Sequence, residues 1–171
     1  MERIIPTKDT AITLRIADAN DTPLILNFIK ALAQYEKLSH EVVATETLLR
    51  ETLFGERRVA EVIIAQYDNQ PAGFALFFHN FSTFVGKPGI YLEDLFVLPE
   101  LRGKGIGKIL LTYLGKLALE RNCGRIEWAV LDWNEPAINF YKKLGAKPMN
   151  EWTVFRVDGN SISELAEMFE T

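Results

Sequence analysis

The chain has almost none of the residues on which disulfide-stapled or metal-stabilised proteins depend. Cys123 is its one cysteine, so no internal disulfide can form. It stands beside Gly124 at the end of an expected helix, where it reads as a small packed residue. The two histidines, His40 and His79, are too few and too scattered to suggest a metal cluster. Excess basic charge is also absent: 19 Lys and Arg against 23 Asp and Glu leave a net charge of −4. That balance supplies no global attraction to nucleic acid or anionic lipid. No apolar run approaches the roughly 18 residues of a membrane span. The opening MERIIPTKDT mixes both charge signs without the apolar centre of a signal peptide. These absences lead to the expectation of a cytoplasmic protein that holds no metal and binds neither nucleic acid nor membrane.

What is present is a core. Of 171 residues, 48% are apolar, which suits one domain over 1–171, and no repeat or linker interrupts it. ITLRIA (12–17) alternates like a strand, and Thr22-Pro23 then reads as N-cap and first residue of a helix. Ile25, Phe28, Ile29, Leu32 and Tyr35 repeat at helical spacing along it. A weaker helix is expected over 45–53. VAEVIIAQY (59–67) and AGFALFFHNF (72–81) flank Asp68-Asn69-Gln70-Pro71 and form a hairpin pattern. After the turn formers STFVGKPG, the segment IYLEDLFVL (90–98) is apolar on both faces but for one pair of acids, as a central strand would be.

A second helix with a clear apolar rhythm runs from Ile106 until Asn122-Cys123-Gly124 stops it. RIEWAVL (125–131) is the next strand, parallel to 90–98 through that helix. A short helix follows over 135–145, then a last strand at WTVFRV and a helix over 161–169. The series is a mixed α/β sheet with helices on both faces.

Between the strand 90–98 and the helix from Ile106 lies ELRGKGIG, three glycines in five positions. A strand, a bare turn and a helix N-terminus together present unpaired N–H groups with the positive end of the helix dipole behind them. Phosphate is the natural guest, because a side chain would hold it off the backbone and resist positive φ. The nucleotide P-loop pattern fails, since Lys108 is followed by Ile109 and position 102 is Arg. The dinucleotide fingerprint fails as well: the spacing is G-x-G-x-G, and no acid closes a following strand.

Arg102, Gly105 and Gly107 do fit R-x-x-G-x-G, which resembles the coenzyme-A pyrophosphate loop of the GNAT superfamily of N-acetyltransferases. YLEDLFVLPELRGKGIG, AVLDWNEPAINFYKKLGA and LAQYEKLS together are similar to the spermidine/spermine acetyltransferase family, nearest its thialysine or diamine branch. The similarity spans nearly the whole chain. It implies a GNAT-like, mostly antiparallel sheet whose central parallel pair, 90–98 and 125–131, splays apart to admit the pantetheine arm of acetyl-CoA. The cofactor would pair with backbone near Phe96 and Val97 and rest on Arg102, Gly103, Lys104, Gly105, Ile106, Gly107 and Lys108, with Asn134 bonding the pantetheine amides. Asn134 is equally an ordinary N-cap before Glu135-Pro136. A homodimer is also implied, with part of each active site supplied by the partner chain.

Acetyl transfer to an alkyl amine needs the neutral amine. At pH 7 an amine of pKa about 10.4 is short of that form by about 4.6 kcal/mol. Glu93 and Asp94 sit mid-strand among apolar residues, where a carboxylate without a partner is expensive to bury. Strand alternation sends them to opposite faces. The resemblance implies that Glu93 takes the amine proton through water, while Asp94 helps hold the cation. The plainer alternative is a pair that caps local backbone or bonds a core arginine. Tyr141 matches the family's general acid for the departing thiolate, although Phe140 and Tyr141 also suit an apolar helix face. Tyr35, Glu36 and Asp94, with Asp132, would line an acidic, aromatic-edged pocket for an ammonium group. The polyamine enzymes carry Asp-Pro-Trp where this chain has Ser82-Thr83-Phe84. The expectation is therefore a diamine, thialysine, ornithine or lysine rather than spermine. A peptide N-acetyltransferase and a non-catalytic acyl-CoA-binding module are the rival readings.

Overall fold

The computed structural model describes residues 4–169. The chain divides into two compact units, Met1–Ala129 and Val130–Thr171. The first is built on a six-stranded sheet in sequence order: β1 (Ile4–Pro6), β2 (Ile12–Ile16), β3 (Glu61–Tyr67), β4 (Gln70–Ser82), β5 (Lys87–Val97) and β6 (Ile126–Trp128). All neighbours are antiparallel except β5 and β6. Three helices belong to this unit: α1 (Thr22–Tyr35), α2 (Glu46–Phe54) and α3 (Ile106–Glu120). The second unit carries α4 (Glu135–Lys143) and α5 (Asn160–Glu167).

The hairpins are tighter than the sequence suggests. Asp68 and Asn69, at φ +48° and +63°, alone join β3 to β4, and Tyr67 pairs with Gln70. Two consecutive left-handed residues match the twist of the flanking strands. Ser82 likewise pairs with Lys87, so Lys87, Pro88 and Gly89, expected in a loop, are strand. The expected N-cap at Thr22 is also corrected. Asp18 caps a short 3-10 turn at Ala19–Asp21, and Thr22 is already the first residue of α1. Asp21 is committed elsewhere, since both its carboxylate oxygens accept from the guanidinium of buried Arg15 at 2.6 Å. The weaker second helix forms as expected, with the Thr45 hydroxyl accepting from the Leu48 N–H.

Each sheet face has its own core. On one, Ile25 and Phe28 of α1 and Leu53 of α2 pack on Val62, Ile64, Phe74, Leu76 and Phe96, and Phe28 stacks on Phe74 at 5.4 Å. On the other, Leu110 and Leu114 of α3 are fully buried. Arg121, just past the end of α3, lies over Phe77 and grips Glu61 of β3 with two bonds, 2.5 and 2.8 Å. That clamp fixes the C-terminal end of α3 to the sheet, while its N-terminal end begins just after β5.

Two expected strands are corrected. β6 covers three residues rather than 125–131, and 152–157 forms no strand. A strand needs a partner along its length, and β5 pairs with β6 only at Ile90–Leu92. Trp152, Val154 and Phe155 are instead 70%, 85% and 90% exposed. In the second unit, α4 stops as its sequence dictates: Gly145 turns at φ +89° and the Ala146 N–H bonds the Tyr141 carbonyl at 3.1 Å.

Candidate active site

The site begins at the edge of β5. The Leu98 N–H donates to the Ala72 carbonyl of β4, and the Phe96 carbonyl lies so near Gly73 that a Cβ there would sit 2.3 Å away. Period-two alternation therefore turns the peptide groups of Phe96 toward β4 and those of Leu95 and Val97 toward the opposite edge. The Phe96 ring is 3% exposed, in the core. The peptide of Phe96, whose backbone was expected near a ligand, thus faces β4 and its side chain lies in the core, while the peptide groups of Leu95 and Val97 face the open edge. Leu95 was readable only from the hydrogen-bond phase of the ladder, which residue type does not reveal. Because β6 pairs with β5 no further than Leu92, the edge at 93–97 faces no strand among the described residues.

The glycine loop follows directly. Gly103 and Gly105 adopt φ of +80° and +85°, and a Cβ on either would meet no atom within 4 Å. The cradle above them is open. Gly105 is the N-cap of α3 without any side-chain cap. The first intrahelical bond there runs from the Ile109 N–H to the Gly105 carbonyl, so the N–H groups of 106–108 belong to the unsatisfied first turn. The side chain of Ile106 is buried, leaving only its N–H for a ligand, whereas Lys104 and Lys108 are exposed. Lys104 lies 4.7 Å over the Tyr67 ring. Lys108 borders a cavity of about 650 Å³ between β1 and α3 that contains no paired carboxylates. Arg102 is bound back onto the protein: Nε donates to the Val97 carbonyl at 3.1 Å, and the guanidinium lies 4.3 Å over the Tyr35 ring.

The carboxylates differ from the expected pair. Asp94 pairs with Leu76 and Leu92 with Phe77, so Glu93 is the extra residue of a β-bulge. The bulge breaks the alternation that would send Glu93 and Asp94 to opposite faces, and it leaves Glu93 exposed rather than buried in the strand. Asp94 is the desolvated acid. Burial first, then the nearby charges of Glu93 and Glu36, push its pKa up to about 6. Burial also raises that of Glu36.

Asp94 and Glu36 line a cavity of about 330 Å³ with Glu41 and the apolar Leu32, Leu38 and Val43. Its roof forms because Lys37, at φ +63°, turns the chain back at the end of α1 and the Leu38 N–H bonds the Ala33 carbonyl. Glu41 escaped the sequence reading, although an acid five positions after Glu36 was there to be read. Tyr35, expected in this pocket, does not line it and lies under Arg102 instead.

In the second unit, Asn134 is 7% exposed and caps α4, its Oδ1 accepting from the Ala137 N–H at 3.3 Å. Tyr141 is half-buried on α4 with its ring 5.3 Å from that of Phe140. Asp132 is exposed.

An open strand edge, a glycine cradle at a helix N-terminus and a carboxylate cavity on one mixed sheet define the frame of a coenzyme-A-dependent acyltransferase. Residues 29–146 match the model of the acetyltransferase (GNAT) family, and the chain belongs to that family. It is 40% identical over 164 residues to the thialysine N-epsilon-acetyltransferase of Mus musculus, covering 90% of this chain and 96% of that one. To the L-ornithine N5-acetyltransferase of Arabidopsis thaliana it is 32% identical, covering 91% and 88%. Among solved structures, an integron cassette protein from the mobile metagenome of V. cholerae superposes with a TM-score of 0.78 at 28% identity, over 93% of this chain and 99% of that one.

Proposed function

We propose that this chain transfers the acetyl group of acetyl-CoA to the primary amine of a small cationic molecule: a diamine or a basic amino acid such as thialysine, ornithine or lysine. The observation that carries the reading is the continuity of the open β5 edge with the glycine loop, next to a cavity walled by Asp94 and Glu36. Acetyl-CoA supplies an activated thioester. The residues fit it: Leu95 and Val97 can pair with pantetheine amides, and the room over Gly103 and Gly105 with the first-turn N–H groups of α3 suits a pyrophosphate. Lys104 and Lys108 add positive charge, and the resemblance to the family implies the amide-bonding role for Asn134.

The cavity takes the ammonium, with Asp94 and Glu36 as its counter-charges. Exposed Glu93 accepts the amine proton through water, a role that suits an acid in contact with solvent better than the half-buried, desolvated Asp94. Tyr141 donates to the departing thiolate. The β4–β5 turn, Ser82 to Gly86, contains no acid, which favours short substrates over spermine. The apolar residues exposed between Trp152 and Phe169 favour a homodimer in which a second copy covers them. We place the reaction in the cytoplasm.

Thiol release from acetyl-CoA against diamines, polyamines, basic amino acids and peptides tests the reading. Short diamines or basic amino acids should give the highest kcat/KM. Turnover of peptides alone would make it a peptide N-acetyltransferase, and the absence of thiol release with every amine would leave a binding module.

A further inference from the structure

Arg102 touches the places proposed for both ligands. Its Nε–H donates to the carbonyl of Val97, an acceptor that the β5 edge would offer to a pantetheine amide. Its guanidinium covers a face of Tyr35 at 4.3 Å and reaches Phe96 at 5.7 Å. Tyr35 ends α1 and directly precedes Glu36, a wall of the amine cavity. An aromatic face is itself a cation site, so a guanidinium lying on it competes with an incoming ammonium.

The hold is also a light one. Arg102 is exposed, and its partners at this position are a neutral carbonyl and ring faces. A phosphate offers the planar fork a charge-assisted, two-bond partner, which is the stronger interaction.

We propose that Arg102 is a latch that orders binding: acetyl-CoA claims the Val97 carbonyl, draws the guanidinium toward its phosphates and so uncovers Tyr35 for the amine. The inference rests on the function proposed above and adds to it a positioning role for one residue. The route from cofactor to amine is short, running from Val97 through a single side chain to Tyr35. By linkage the coupling is reciprocal, so the amine must tighten the cofactor as much as the cofactor tightens the amine.

Calorimetry with propane-1,3-diamine as probe, without cofactor and with saturating desulfo-CoA, tests this. In the parent, desulfo-CoA should tighten the diamine by about 5- to 30-fold, the range in which cation–ring contacts and ordinary site coupling fall. Arg102→Gln should bind the diamine without cofactor nearly as tightly as the parent does with it, bringing the ratio close to one. Tyr35→Leu should also bring it close to one, but at the parent's weak, cofactor-free affinity. Should Arg102→Gln fail to fold, Arg102→Lys, which lacks the planar fork, takes its place in the same comparison. A parent that binds both ligands with a ratio of one overturns the latch alone, as does an arginine variant that keeps the parent's ratio. A parent that binds no desulfo-CoA overturns the proposed function, and the latch with it.

Discussion

Gly73 of β4 and Phe96 of β5 approach so closely that a Cβ on Gly73 would lie 2.3 Å from the Phe96 carbonyl oxygen and 3.0 Å from the Cα of Val97. Backbone, not a movable side chain, fills that space, so glycine here sets the position of the β5 edge. Gly73→Ala should destabilise the fold by roughly 1–3 kcal/mol, as overpacking does. It should also raise the KM for acetyl-CoA, because relief of the clash displaces Val97. Chemical denaturation and a KM series measure the two effects, and a variant unchanged in both would mean that β5 is not held where the structure has it.

Gly105 offers the opposite case, a left-handed residue at φ +85° with nothing near its absent Cβ. Gly105→Ala should cost the free protein only about 1–2 kcal/mol of backbone strain. The added methyl lies in the proposed pyrophosphate cradle, so acetyl-CoA should no longer raise the melting temperature. Gly105→Val should do the same with more strain. A folded variant still stabilised by the cofactor as the parent is would move the phosphate elsewhere.

Glu93 is exposed at the bulge and is proposed above to take the amine proton through water. Glu93→Gln should lower kcat far more at pH 7 than at pH 9.5, where a larger share of the amine is already neutral. Equal losses at both pH values would assign Glu93 to substrate placement.

Asp94, with its pKa raised to about 6, carries the opposite stability signature to a salt-bridged acid. The folded state holds its proton more tightly than the unfolded chain, whose aspartate titrates near 3.9. The two states are alike below about pH 4, and the folded state loses stability as pH rises from there to about 6. Relative to the parent, Asp94→Asn should therefore gain up to about 1–3 kcal/mol between pH 4 and 7.5. Its KM for the amine should be raised, and it should lack the steep increase expected of the parent below pH 6. Unfolding curves at the two pH values check the first effect and steady-state kinetics the second.

Tyr141→Phe removes one hydroxyl and keeps the ring that packs beside Phe140. Single-turnover acetyl transfer should slow by about 10²-fold, the low end for a general acid, since a thiol of pKa about 8.5 leaves readily. The loss should shrink with a better leaving thiol. An unchanged single-turnover rate would return Tyr141 to a packing role.

The sequence by itself determined the elements whose signals are local. Helix α3 and its glycine loop, α1, the β3–β4 hairpin and α4 with its Gly145 stop all follow from spacing, caps and turn residues, because each depends on neighbours a few positions away. The family was readable for the same reason, since R-x-x-G-x-G and its flanks are contiguous. What only the tertiary structure decided depends on which strand lies beside which. The bulge that exposes Glu93 exists only in the register of β5 against β4. The exchange of Phe96 for Leu95 at the open edge follows from the direction of the ladder bonds. The place of Tyr35 beneath Arg102 joins residues far apart in sequence through a single side-chain contact. The segment 152–157 has the β-branched and aromatic residues of a strand, yet composition does not supply a partner, and no ladder partner meets it among the described residues.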